Sequence, residues 1–268
     1  MIVSGCYVPN TPSLIPVSNR HAAGFPEHSR TVRALKDVGE LMLERGVETV
    51  VTVSPHFEKA AGIPVVRSRD LRQVYDYYGF PAEYYDLKYK CTGNPALAEQ
   101  ILSKAKEALV PCFPADDWGL DHGAWSPLIN MFPKADVPVV PVGIARSLSD
   151  ETHQAFGTAI RAASGSHRVA VVATGSVIHR LDMWGSGVAQ PPDKAVQLLE
   201  LFKQAVSLGK FEELWKADVS MFSEAAPEGG WKPLRVLAGS MGEATGRVLA
   251  DEMELGAASL TTVLFEPK

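Results

Sequence analysis

Short apolar, β-branched runs alternate along this chain with longer stretches in which apolar positions recur every three or four residues. "MIVSGCYV" (1–8) predicts a first buried strand. In "PEHSRTVRALKDVGELMLERG" (26–46), Val32, Leu35, Val38, Leu41, Met42 and Arg45 fall at helical spacing, and Gly46 supplies a C-cap. "VETVVTV" (47–53) predicts the next strand, stopped by Ser54-Pro55, and "GIPVVRS" (62–68) another. Helical spacing returns over 95–109 through Leu97, Ile101, Leu102 and Ala105. "VPVVPVGI" (137–144) is strand-like, and Pro141 puts it near a sheet edge. A helix over 149–164 leads to "HRVAVVATGS" (167–176), the clearest buried strand. Further helices are predicted at 193–207, 210–216 and from Trp231 to Met241. "GRVLADEMELGAASLTTVLFEP" reads as two strands joined by a turn.

This alternation predicts an α/β fold with a central, mostly parallel or mixed β-sheet flanked by helices. Neither a fixed-period repeat nor a long polar linker interrupts it, so residues 1–268 are expected to form a single domain. In such folds ligands gather beyond the carboxyl ends of the strands. The first strand runs into Asn10, the strand at 47–53 into His56, and the strand at 167–174 into His179. If these strands are parallel neighbours, the three side chains meet at one end of the sheet.

Composition narrows the partners. A net charge of −5 and a pI near 5.8 argue against nucleic acid or an anionic membrane as a partner. Cys6, Cys91 and Cys112 form no CxxC pair, which speaks against a disulfide framework or thiolate zinc site and for a reducing compartment. The N-terminus lacks the basic and apolar regions of a signal peptide. No stretch approaches the roughly 18 apolar residues of a membrane span. A cytoplasmic protein is expected.

Seven histidines are the first candidates for chemistry. His28, His153 and His167 lie among charged neighbours and read as solvated surface; His21, in "VSNRHAAGF", reads as surface or as a lid over a cleft. His56 in "SPHF", His122 in "DHGAW" and His179 in "GSVIHRL" each adjoin small or rigid residues that restrict the backbone. Each alone fits a satisfied structural histidine; together, at strand ends and a helix start, they favour a site. Two histidines and one acid make a common metal-binding geometry. "EAAPEGGWKPLRVLAGSM" offers Glu224 and Glu228, and Glu228 reads equally as an acid favoured by a helix N-terminus or as a ligand. The two glycines after it make room for a close approach. "YDYYGFPAEYYDLKY" (75–89) holds six tyrosines, fit either to pack over the core or to line an aromatic pocket. No GxSxG elbow, HExxH helix or GxGxxG turn is present, so nucleophilic serine chemistry and nucleotide cofactors are not indicated.

Taken in order, "VPNTPSLIP", "SPHF", "YDYYGFPAEYYDLKY", "WGLDHGAWSPLINMFPKADVPVV", "ATGSVIHRL" and "PEGGWKPLRVLAGS" resemble the class III, LigB-type extradiol ring-cleavage dioxygenases. The resemblance is strongest to the 4,5-DOPA dioxygenase-like branch. It runs from residue 8 to about residue 240, and the block 118–140 is its most specific part. It implies an α/β fold around one non-haem metal, Fe(II) typically and Zn(II) in some members. It further implies a small aromatic substrate of catechol or aminophenol type, O2 as co-substrate, and homo-oligomers or hetero-oligomers with a related subunit. By motif, His56 and Glu228 match metal ligands, His179 a general base or metal neighbour, and His122 a substrate-contacting histidine able to donate a proton.

One position departs from the pattern. Relatives carry histidine in "P-H-x-P", where "PNTP" places Asn10. An amide oxygen is a far weaker ligand for a first-row metal than imidazole. The resemblance therefore admits a His56–His179–Glu228 set with Asn10 further out, or a metal-free, catalytically inactive subunit or binding protein. A zinc hydrolase on the same histidines ranks below both, since an open zinc position activates water.

Overall fold

The alternation builds one eight-stranded sheet, seen in a computed structural model that describes residues 1–18, 27–187 and 190–267. The strands are β1 (Ile2–Val8), β2 (Thr49–Lys59), β3 (Ile63–Val65), β4 (Cys112–Pro114), β5 (Val139–Ala145), β6 (Val169–Thr174), β7 (Ala244–Glu254) and β8 (Ala258–Pro267). Their spatial order is β4-β3-β5-β2-β6-β1-β8-β7. β5, β2, β6 and β1 run parallel; β8 adds to β1 antiparallel and closes a hairpin with β7. The sheet is thus mixed around a parallel centre, as the sequence pattern predicts.

The helices are α1 (Ser29–Glu44), α2 (Glu83–Asp86), α3 (Pro95–Glu107), α4 (His122–Met131), α5 (Asp150–Ser164), α6 (Asp193–Leu208), α7 (Phe211–Trp215), α8 (Val219–Ala225) and α9 (Lys232–Met241). Successive residues of a strand point to opposite faces, and here each face has its own core. Cys6, Val8, Val50, Val139, Ala170 and Val172 pack with α1 and α4. Tyr7, Val51, Val53, Val140, Val171 and Ala173 pack with α3, α5, α6 and α9. Burial on both faces explains why these strands read as continuous apolar runs rather than alternating ones.

Several expectations are corrected. Ser54-Pro55 does not stop β2, which continues to Lys59 across a register shift between Val53 and Glu58. An irregular pairing tolerates the missing proline donor. Pro141 does not mark an edge, since β5 lies between β3 and β2. The Pro141 carbonyl accepts from Val66 N, so its donor-less nitrogen faces β3, where pairing is limited to Val65 and Val142. His153 and His28 are buried, not solvated. His153 Nε2 accepts from Ala145 N, and its Nδ1 lies 2.8 Å from the Ser149 carbonyl, so the ring ties α5 to the end of β5. His167 is half-exposed beside Glu48, as expected. His21 lies outside the described residues.

Candidate active site

Three parallel neighbours, β2, β6 and β1, end at the same rim of the sheet. Asn10 lies two residues beyond β1, His56 within the register shift in β2, and His179 in the loop after β6. That last loop is stitched down: His179 N donates to the Ala225 carbonyl, Arg180 N to Ala257 and Ile178 N to Ser259 Oγ. Glu228 opens a short 3-10 turn (Glu228–Trp231) ahead of α9 and points to the same place.

Glu228 is the hub. Its Oε1 accepts from Asn10 Nδ2 at 3.1 Å and lies 3.0 Å from His56 Nε2 and 4.0 Å from His179 Nε2. Its Oε2 accepts from Ser176 N at 3.1 Å. Burial alone would raise this carboxyl, but His179, His56 and Asn10 outweigh it and hold the group down at about 2. Glu224, the other acid of the segment, lies apart with its side chain partly exposed near Lys194.

His56 is gripped from both sides. Its Nδ1 lies 3.2 Å from Asp76 Oδ2, opposite the Glu228 contact. Burial disfavours its charged form, yet Asp76 and Glu228 together keep the imidazolium well above the ordinary histidine range. Its backbone N donates to Ser54 Oγ at 3.2 Å, and Ser54 Oγ donates to Asp121 Oδ1 at 2.6 Å. Buried Asp121 also caps α4 by accepting from Ala124 N and takes a hydrogen bond from Trp118 Nε1. The "DHG" turn and the "SPH" bulge are therefore one unit.

Two glycines permit this closeness. A Cβ on Gly123 would stand 2.4 Å from Ser54 Oγ and 2.7 Å from His56 Cδ2. A Cβ on Gly229, at φ +61, would stand 2.9 Å from Pro55 Cβ, so the turn bearing Glu228 rests directly on the residue before His56. This is the close approach that "EGG" makes room for.

His122, the first residue of α4, is buried, with its ring centroid 4.1 Å from that of His56. Its backbone N donates to Asp76 Oδ1 at 2.8 Å; its Nδ1 is 2.9 Å from the same oxygen, off the line of a hydrogen bond. Tyr77 meets His122 edge-on at 5.3 Å. Most of the tyrosine-rich segment is packing: Tyr77, Tyr84 and Tyr89 are buried, Tyr77 Oη donates to the Tyr84 carbonyl, and Tyr75 and Tyr77 lie against Trp125.

Sequence reasoning missed Asp76 and Asp121. Asp76 sits between tyrosines in a loop placed by the bridge of Gln73 to Leu120 and by Val74 N donating to Leu120 O. Nothing in its local sequence marks it. Asp121 did carry a signal, an acid immediately before the first residue of a helix.

His56 thus borders two donor groups. Among the described residues, the donor atoms of His56, Asp76 and His122 all lie within 4.8 Å of one another. His56, Glu228 and His179 do not reach that mutual closeness. The family model for the catalytic LigB subunit of aromatic ring-opening dioxygenase matches residues 15–263.

The chain belongs to the LigB family. Its curated relatives agree. A protein of Escherichia coli (strain K12) called 4,5-DOPA dioxygenase extradiol is 34% identical over 138 residues, 50% of this chain and 48% of that protein. The match therefore spans about half the length of that relative. One of the same description from Beta vulgaris is 29% identical over 220 residues, 76% of this chain and 77% of that protein. The crystal structure of an uncharacterized Escherichia coli K12 protein superposes with a TM-score of 0.72 over 98% of this chain and 99% of that one, at 21% identity, and shares the fold. The family model describes a dioxygenase subunit, and both relatives carry dioxygenase descriptions. Asn10 falls just before the matched residues. No helix among the described residues is long and apolar enough to cross a membrane.

Proposed function

We propose that this LigB-family chain opens a catechol-like or aminophenol-like ring with O2 at the Glu228 centre, using Fe(II), with Zn(II) as the alternative occupant. One observation carries the reading: the buried Glu228 Oε1 has His56 Nε2 at 3.0 Å and the Asn10 amide at 3.1 Å. Ligands about 2.1 Å from a first-row ion at right angles stand about 3 Å apart, so Glu228 Oε1 and His56 Nε2 are spaced for one ion, and Asn10 joins them only with its amide turned to present Oδ1 in place of Nδ2. Two are strong donors and one weak.

Glu228 and His56 hold the metal in this reading, and Asn10 stands as the weak third partner. A bound Fe(II) supplies the Lewis acidity and one-electron chemistry that ring opening by O2 requires. His179, 4.0 Å from Glu228 Oε1 and partly exposed, accepts at its Nε2 the proton released by a substrate hydroxyl. His122 sits on the other flank of His56 and donates a proton to oxygen at the ring. Tyr77 walls the cleft behind His122 and limits water there. The protein works as one LigB-like unit in a soluble compartment, with a small aromatic substrate rather than nucleic acid or membrane as its partner.

Anaerobic reconstitution with Fe(II), followed by a panel of catechols and aminophenols under O2, tests this. Oxygen uptake with appearance of a ring-opened chromophore is expected. Absence of uptake across the panel, with metal demonstrably bound, rejects it.

Asn10 favours one second reading, a family member that keeps the cleft without catalysis. Its amide spends a hydrogen bond on Glu228 where relatives place a ligand. Protein that takes up neither Fe(II) nor Zn(II) at micromolar concentration supports that reading.

A further inference from the structure

We propose that the exposed face of α1 docks against the same face of a second copy of this chain, the two helices antiparallel about a two-fold axis; this stands apart from the reaction proposed above. α1 buries Thr31, Ala34, Leu35, Val38, Gly39 and Met42. Gly39 sets the helix flush on α4, since a Cβ there would stand 1.9 Å from the Met131 carbonyl oxygen. The outer side presents Arg33, Lys36, Glu40, Leu43 and Glu44, all exposed. At three- and four-residue spacing they form one stripe along the helix. Beside it, between α1 and the end of α4, runs an open groove of about 600 Å³ bordered by Val32, Leu43, Ile129, Phe132 and Pro133. Leu43 is 46% exposed there.

The stripe is sorted by charge: Arg33 and Lys36 come first, Glu40 and Glu44 last. Among the described residues, none of these four makes a salt bridge. On other surface helices Lys104, Lys203 and Lys210 each pair with a glutamate one turn away. The two ends of α1 are answered within the chain. Arg30 lies 3.6 Å from Glu252, which also accepts from Thr31 N, and Arg45 pairs with Glu266. The stripe between them is not. Its own i, i+4 pairing, Lys36 with Glu40, has the base first, which is the weaker order on a helix. A face whose two signs are separated lengthwise complements its own copy when that copy is turned end for end. Arg33 and Lys36 then meet the glutamates of the second copy, and the reverse, as an isologous two-fold contact requires. A parallel pairing would set like charges together, and a polyanion would meet Glu40 and Glu44. Covering the groove supplies the attraction, while the charges choose the orientation.

Sedimentation equilibrium of the wild-type protein, from micromolar to sub-millimolar concentration, is expected to show a monomer–dimer equilibrium that weakens as salt is raised. Two double variants reverse one half of the stripe each: Arg33→Glu with Lys36→Glu, and Glu40→Lys with Glu44→Lys. Each alone is expected to weaken self-association by roughly tenfold or more. Mixed in equal amounts, the two should form a one-to-one dimer with each other. All four side chains are exposed, and circular dichroism melts confirm that both variants fold. Wild-type protein that stays monomeric throughout overturns the proposal, and this result requires no variant. A dimer that both reversals leave at wild-type strength overturns it too, by placing the interface elsewhere. So do folded variants that lose association yet fail to pair with each other.

Discussion

Two carboxylates are buried in this molecule under opposite conditions. Glu228, at the sheet rim, meets Asn10, His56, His179 and the Ser176 amide, and its carboxyl is held down at about 2. Glu254, at the end of β7, is fully buried, takes a hydrogen bond from Ser13 Oγ at 2.9 Å and has His28 Nε2 at 3.7 Å. Burial pushes it up to about 7, against the smaller opposing effects of Ser13 and Thr11. Both lose water, so depth does not separate them. Convergent donors do: the rim stabilises a negative charge, whereas the β7 position merely tolerates a carboxyl. A site that keeps an anion in the interior is prepared for a cation, and that contrast is why Glu228, not Glu254, is read as a ligand.

The contrast breaks first at Glu228. Glu228→Gln keeps the shape and removes the charge. The expected loss of Fe(II) or Zn(II) affinity exceeds the roughly 10–100-fold typical of removing an outer partner, and a metal titration checks it. The Glu254→Gln change should behave oppositely. Its folded pKa stands above the ordinary carboxyl value, so the folded state binds the extra proton between about pH 4.5 and 7. Stability from this group is complete below about 4.5 and is lost as the pH rises through 7. Wild type should therefore lose on the order of 3 kcal/mol across that window relative to Glu254→Gln, measured by urea unfolding at pH 5 and pH 8. A parallel pH dependence in both proteins would contradict the account.

Smaller effects sharpen the rim itself. Gly123→Ala places a methyl against Ser54 Oγ and His56 Cδ2. A destabilisation of about 1–3 kcal/mol is expected from overpacking, together with weakened metal binding as His56 is displaced; thermal unfolding and metal titration report the two separately. Asn10→His restores the stronger ligand type and should raise metal affinity without changing the melting temperature of the metal-free protein appreciably. No gain would show that Asn10 does not stand at a ligand position.

The strand ends were readable because buried parallel strands make continuous β-branched runs, and Asn10, His56 and His179 followed from them. Glu228 was readable through the glycines that let its turn press on Pro55. His153 was misread although a signal existed: with Phe156, Gly157 and Ile160 it forms the buried stripe of α5 at helical spacing. Ser54-Pro55 misled because proline rules out a regular ladder but not an irregular one, and the irregularity is where His56 sits. Asp76 was illegible for a different reason. Its position depends on Gln73 and Val74 pairing with Leu120, a contact between loops that no local pattern encodes.

The most direct test is a structure of the protein soaked anaerobically with Fe(II), with anomalous scattering at the iron edge locating the ion. The account predicts iron between His56 Nε2 and the Glu228 carboxylate, with Asp76 still on His56 Nδ1. Iron held instead by Asp76, His122 and His56 Nδ1, with Glu228 free of it, would contradict it.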